Sequence, residues 1–283
     1  MANIEQARLW NTTGADAWIH YVDEFDATLN PFGTAVMDRL ELAPGQRVLD
    51  IGCGLGTTTR DLASRVAPGQ VVGADISLRM VTEARRRAAS EGVENIDFME
   101  VDAQTGDFGP TRFDVAFSRV GVMFFEDPTA AFSNIASSMT ANGQLGFVCF
   151  QSPMVNPFLV IPVLTAAPHL EIQFPPPPGS PSPFSLADPE AVRGILEAAG
   201  FDNVRIDPGP DEATIPGADD LEMVARRLLE QNPSTAPRMV QLPSEKVAAA
   251  TAAVAEALAP FRDGDVIRMG AGTWIVLANI GAG

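Results

Sequence analysis

The segment Val48-Leu49-Asp50-Ile51-Gly52-Cys53-Gly54-Leu55-Gly56 sets a carboxylate two residues ahead of three alternating glycines. A β-branched run passing into such glycines builds a turn without side chains, where a ligand can touch the main chain directly. At the carboxyl edge of a parallel sheet, that is where ligands bind. The spacing narrows the ligand. A dinucleotide loop of the form G-x-G-x-x-G would carry its third glycine at position 57, whereas the sequence has Thr57 there and its extra glycine at Gly56. Asp50 would repel a pyrophosphate and suits a ligand that carries an ammonium group.

Further along, Asp75 closes an apolar run, Asp102 follows another, and Phe113-Asp114 leads to Ser118-Arg119-Val120. Two carboxylate oxygens can accept both hydroxyls of a diol, and a carboxylate pairs with an exocyclic amine. Groups that could move a proton are sparse: His20, His169 and the single tyrosine, Tyr21, are the candidate catalytic residues. Each also has a plainer reading: Tyr21 in the apolar stripe of a helix, His20 beside that stripe in solvent, His169 exposed in a loop. Arg119 could hold a carboxylate of the acceptor or cofactor, or pair with Glu126 or Asp127. Cys53 reads as a small loop filler, since nothing basic stands beside it in sequence. No metal site is expected.

Positioning these residues requires a scaffold, and the periodicity supplies one. Trp18, Val22, Phe25 and Leu29 predict an amphipathic helix over 15–29, ended by Asn30-Pro31. Strands follow at 47–51, 71–74, 96–101, 113–117 and 145–150. Between them come helices at 57–66, from an N-cap at Ser77 to about Ser90, and from Asp127-Pro128 to Asn142-Gly143 with Phe132, Ile135 and Met139 on one face. Residues 151–187, with Pro175 to Pro178, lack a period and predict a stiff lid. Asp188-Pro189 opens a helix to Gly200, followed by a strand at 203–206, helices at 218–231 and 244–258, and one buried strand over 267–280. The alternation predicts an α/β fold with a doubly wound, mostly parallel sheet covered by helices on both faces. Its expected parts are an N-terminal helical cap (1–34), a core (35–150), a lid (151–187) and a C-terminal part of the sheet with a helical insertion (188–283).

In this order the motifs resemble the class I S-adenosylmethionine-dependent methyltransferases, whose first motif, acidic-x-Gly-x-Gly, is matched by Asp50-Ile51-Gly52-Cys53-Gly54. The resemblance implies a Rossmann-like, seven-stranded sheet with an antiparallel last strand, S-adenosylmethionine as cofactor and S-adenosylhomocysteine as product. It implies a cofactor loop of Asp50, Gly52, Cys53, Gly54, Gly56 and Thr57, with Asp75 on the ribose hydroxyls and Ile76 and Met80 around the adenine. Asp102, with the Ala103 backbone, would receive the adenine amino group, and Ser118, Arg119 and Val120 would line the methionine end. Ser118 to Pro128 and Trp10-Asn11 to Trp18 are similar to the ubiquinone/menaquinone-biosynthesis-like branch (methyltransferase type 11/25). The acceptor pocket is expected at Trp18, Tyr21, Met123 and Phe158, roofed by residues 1–30 and 151–187, with Trp10, Met154 and Phe174 as further apolar walls.

Composition bounds the partners. The 283 residues are 46% hydrophobic and 19% charged, enough for a sizeable core, and the formal charge of −17 opposes binding to nucleic acid. No apolar run is long enough to span a bilayer, and Met1 to Gln6 lacks the basic and apolar regions of a signal peptide, so a cytoplasmic protein is expected. Cys53 and Cys149 are expected to be free thiols. A small-molecule acceptor is the expected partner, with monomer and homodimer both open. Two rival functions stand beside methyl transfer. One is a cofactor fold used without it, as a cyclase or binding module; the other is an NAD-binding oxidoreductase, disfavoured by Thr57 and Asp50.

Overall fold

The computed structural model describes residues 3–173 and 181–281, and it opens on three helices, α1 (Ile4–Trp10), α2 (Thr13–His20) and α3 (Val22–Met37). The helix expected over 15–29 is therefore two, parted at Tyr21, and the second does not stop at Pro31. Proline removes one helical donor, but Phe32, Val36 and Met37 beyond it are buried against the core. That packing carries the helix through.

The core alternates β1 (Arg47–Ile51), α4 (Thr57–Val66), β2 (Gln70–Asp75), α5 (Leu78–Glu91), β3 (Ile96–Glu100), β4 (Phe113–Arg119), α6 (Pro128–Ser137) and β5 (Met139–Phe150). Local chemistry sets these boundaries. Gly56, at φ +77°, precedes α4; Ser77 Oγ accepts from Met80 N at 3.2 Å to cap α5; Asp127 accepts from Ala130 N at 2.9 Å to cap α6. Met139 belongs to β5 instead of the face of α6, and Asn142-Gly143 lies within that strand, where the pairing with β4 shifts register.

The remaining elements are α7 (Pro157–Leu170), α8 (Pro189–Ala198), β6 (Phe201–Pro208), β7 (Glu212–Pro216), α9 (Leu221–Gln231), α10 (Ala236–Gln241), α11 (Ser244–Leu258), β8 (Arg262–Asp263), β9 (Val266–Gly270) and β10 (Thr273–Ile280). Seven strands form the main sheet in the order β3-β2-β1-β4-β5-β10-β6, with β1 to β5 parallel and β10 antiparallel to both neighbours. Two expectations need correction. The start of the lid is a 14-residue helix, α7, whose stripe of Phe158, Pro162, Val163, Ala166, Ala167 and Leu170 is buried. The strand expected over 267–280 is two strands parted by Ala271-Gly272, of which β9 joins a second sheet, β7-β9-β8. Residues 175–178 of the proline tract, and Phe174, lie outside the described residues.

Sheet order decides where a ligand can sit. Strand β1 is flanked by β2 and β4, so the chain leaves in opposite directions on its two sides and opens a crevice at their carboxyl ends. Over that crevice lie α2 and α3, together with α7 and α9, which pack on each other and on α11.

Candidate cofactor and acceptor site

A chamber of about 240 Å³ opens at this edge of the sheet. Its floor is the glycine loop after β1, Asp75 and Ile76 after β2, Asp102 and Ala103 after β3, and Arg119 to Gly121 after β4. Gly52, Gly54 and Gly56 all have positive φ, at +67°, +53° and +77°. Only Gly54 has open space where a Cβ would stand; a Cβ on Gly56 would meet the Phe98 ring at 2.7 Å, and one on Gly52 the Gly121 Cα at 3.1 Å. Gly54 therefore offers bare main chain to the chamber, while Gly52 lets the loops after β1 and β4 touch.

Asp75 is positioned by backbone donors. Gly54 N donates to Oδ2 and Ser77 N to Oδ1, both at 2.9 Å, so the carboxylate is fixed in plane while each oxygen keeps accepting capacity toward the chamber. Burial raises its pKa and these amides oppose the shift. Asp50 is fully buried and does not border the chamber; its Oδ2 accepts from the Thr58 and Thr59 hydroxyls at 2.8 and 2.7 Å. Its Oδ1 has no hydrogen-bond partner among the described residues, and burial lifts its pKa to about 6. The structure thus places Asp50 under the loop, where it braces the start of α4.

Asp102 accepts from Gln104 N at 3.0 Å and, unexpectedly, from Asn3 Nδ2 at 2.7 Å; Asn3 Oδ1 in turn accepts from Glu126 N at 2.8 Å. Asn3 is 2% exposed and borders the chamber. The other end of α1 is tied down by Ser77 Oγ, which donates to the Trp10 carbonyl at 2.6 Å.

After β4 the side chains divide. Ser118 is fully buried and does not border the chamber, because its Oγ donates to the Ile51 carbonyl at 2.8 Å. Val120 does border it, at φ +51°, a strained setting for a β-branched residue. Arg119 pairs neither with Glu126 nor with Asp127. It donates to Asp26 Oδ1 at 3.0 Å and to Asn30 Oδ1, both on α3, and Asp26 Oδ2 accepts from Thr57 Oγ1 at 2.7 Å. A Cβ on Gly33 would stand 3.1 Å from the Arg119 Cδ, so glycine gives this side chain its passage.

The roof departs further from expectation. Trp10, Trp18, Met123 and Phe158 border the chamber, with the Trp18 ring stacked on Phe25 at 3.7 Å between centroids. Met154 is 90% exposed and takes no part. Tyr21 and His20 border a separate depression, where Tyr21 Oη donates to Glu230 Oε2 at 2.8 Å and its pKa is pushed up to about 12, first by burial. His169 lies in the last turn of α7, away from both hollows. None of the three candidate catalytic residues reaches the chamber, and Tyr21 is not one of its walls. Within the expected roof Asn3 and Asp26 reach it without any motif that singles them out, and outside that roof so do Arg227, Leu228 and Gln231 on α9. The amphipathic pattern of α9 marks a helix, but nothing in it says which face meets a ligand.

The donor set fits S-adenosylmethionine. Asp75 is held by two amides and open for a diol, the bare Gly54 main chain lies beside it, and Met80 and Ile76 border the same space. Cys53 and Cys149 are free and buried, with the Cys53 thiol held protonated by burial. No group of residues suited to a metal occurs among the described residues.

Residues 48–143 match the family model of a methyltransferase domain. Aklanonic acid methyltransferase DauC of Streptomyces sp. (strain C5) is 36% identical over 41% of this chain and 54% of its own length. Nocamycin O-methyltransferase of Saccharothrix syringae is 30% identical over 64% of this chain and 69% of its own. The match thus spans about half of the first relative and two thirds of the second. The solved structure of phosphoethanolamine N-methyltransferase 2 from Haemonchus contortus, in complex with S-adenosyl-L-methionine, superposes with a TM-score of 0.54 at 20% identity, covering 87% of this chain and 51% of that one. With the sheet order, the acidic residues ending β1 and β2 and the glycine loop between them all in place, the chain belongs to the class I S-adenosylmethionine-dependent methyltransferases.

Proposed function

We propose that this chain methylates a small molecule held between the carboxyl edge of the sheet and the roof formed by α2, α3, α7 and α9. The observation that carries this reading is the continuity of one chamber from Asp75 and Gly54 to the aromatic wall of Trp18 and Phe25. Cofactor and acceptor can therefore meet without crossing solvent. Asp75 would hold the ribose, Ile76 and Met80 the adenine, Asp102 and Ala103 the adenine amino group, and the loop of Gly52, Cys53, Gly54 and Thr57 would line the methionine end with Arg119 and Val120. Thr57 borders the chamber beside the loop, while Asp50 and Gly56, which do not, hold the loop from outside. On this reading residues 1–34 would serve as cap, 35–150 as cofactor core and 151–187 as lid, with 188–283 completing sheet and roof.

Bound S-adenosylmethionine supplies an electrophilic methyl group on a sulfonium centre. The chain's task is then alignment and exclusion of water. The apolar walls of Trp10, Trp18, Phe25, Met123, Phe150 and Phe158 serve both ends. Among the described residues the chamber wall holds no histidine, lysine or tyrosine; positioning is the main contribution, and where the acceptor must lose a proton a wall carboxylate such as Glu24 or Asp26 would take it.

The two relatives, named for aklanonic acid and nocamycin, support a small organic acceptor. Among the described residues no helix is long and apolar enough to cross a membrane. Two buried free thiols support the cytoplasm as the compartment. Incubation with methyl-labelled S-adenosylmethionine across a panel of phenols, carboxylic acids and amines tests the reading. Labelled product supports it. Tight binding of a nicotinamide cofactor instead, or cofactor binding with no label transferred to any acceptor, would favour the oxidoreductase or the binding and cyclase alternatives.

A further inference from the structure

We propose that the acceptor carries a carboxylate and that Arg227 is the residue that binds it, an inference that rests on the methyl-transfer reading above. Arg227 lies on α9, is 4% exposed and borders the chamber. Its Nη2 donates to the Pro216 carbonyl at 2.6 Å, which fixes the guanidinium in place without neutralising it. The facing acid is Glu24, whose Oε1 stands 3.5 Å from Nη1 and whose side chain is 38% exposed. That is a partial, water-screened counter-charge for a buried cation. Burial accordingly lowers the Arg227 pKa.

Arg119 is differently placed. That arginine also borders the chamber, but Asp26 and Asn30 satisfy it and Asp26 is nearly as buried as Arg119 itself. The anion-binding role that the sequence offered Arg119 is already taken by its own chain, whereas Arg227 has only the longer 3.5 Å pair with the partly exposed Glu24 and is the less fully neutralised of the two chamber arginines.

The neighbouring polar atoms lean the same way. Gln231 follows Arg227 by one turn on the same face of α9, and its Nε2 is buried with no partner among the described residues; so is the Trp18 Nε1, which borders the same chamber. All are donors. Two unpartnered donors beside a stacked aromatic pair match a flat, apolar molecule that brings oxygen acceptors, and a planar guanidinium takes a carboxylate in two parallel hydrogen bonds, the wall acids Asp75 and Asp102 being those assigned to the cofactor. Against the repulsive field of a net charge of −17, a local cation favours the entry of an anionic acceptor.

The test uses matched probes: naphthalene-2-carboxylate against naphthalene-2-carboxamide, and anthraquinone-2-carboxylate against its amide. Each is titrated calorimetrically into the full chain pre-loaded with S-adenosylhomocysteine. The wild type should bind at least one acid ten or more times tighter than its amide. In Arg227→Met that preference should fall below threefold, in Arg227→Lys it should be intermediate, and S-adenosylhomocysteine affinity should stay within twofold in all three proteins. Equal binding of acid and amide, no binding of either acid, or a preference that survives in Arg227→Met would overturn the assignment. Should Arg227→Met not fold, the wild-type pair and Arg227→Lys decide. The loading step separates the two readings, since a wild type that does not bind S-adenosylhomocysteine overturns the methyl-transfer reading first and this one with it.

Discussion

The Asn3 carboxamide donates to the Asp102 carboxylate at 2.7 Å, joining the first described residue of the chain to the turn that follows β3. Because Asn3 also accepts from Glu126 N, one side chain ties the N-terminal strap across the end of the chamber where Asp102 would read adenine. Asn3→Ala should loosen α1 without unfolding the sheet. Amides of residues 4–10 are expected to exchange with solvent faster, and S-adenosylhomocysteine affinity to fall about tenfold, on the order of one charge-assisted hydrogen bond. Unchanged exchange and affinity would mean that the strap does not guard this end.

Arg119 and Asp26 form an ion pair with side chains 10% and 15% exposed. Removing one partner from such a pair strands the other charge. Asp26→Ala should therefore destabilise the chain by about 3 kcal/mol or more in urea denaturation, and Asp26→Asn with Arg119→Gln should recover part of that loss. A double variant no better than the sum of its parts would contradict the coupling.

Asp50 gives the fold a specific dependence on pH. Burial raises its pKa from 3.8 to about 6, so the folded chain holds this proton more tightly than the unfolded one. Its contribution to stability is complete below about pH 3.8 and is lost as pH rises through 6. Asp50→Asn cannot titrate, and the variant should gain on the wild type by about 1.4 kcal/mol between pH 5 and pH 7.5. Parallel stability profiles over that range would show the carboxyl to be unperturbed.

What could be read from the sequence follows from where the information lies. The glycine spacing, the acidic residues ending β1 and β2 and the caps at Ser77, Asp127 and Asp188 are local, and the helices at 57–66 and 244–258 stand where periodicity put them. Proline misled twice: in α3 burial of Phe32 outweighs the donor missing at Pro31, and in α7 burial of Phe158, Val163 and Ala166 outweighs the donors missing at Pro162 and Pro168. The second sheet was hidden because Gly270 and Gly272 read as breaks inside one strand. The partners of Arg119 were not legible, since Asp26 lies 93 residues away and no local pattern brings it near. His20 and Tyr21 were singled out by rarity, which says nothing about where a helix face points. Their side of α2 packs toward α9 and away from the cofactor edge.

The central claim is that Asp75, fixed by Gly54 N and Ser77 N, holds the cofactor of a methyl-transfer reaction. Calorimetric titration of S-adenosylhomocysteine into the wild type and Asp75→Ala, with NADH as the comparison ligand, tests it most directly. The account predicts saturable binding of S-adenosylhomocysteine to the wild type, none of NADH, and at least a 50-fold loss in Asp75→Ala, about 2.3 kcal/mol, while circular dichroism shows the fold retained. Equal affinity of the two proteins, or binding of NADH in place of S-adenosylhomocysteine, would contradict it.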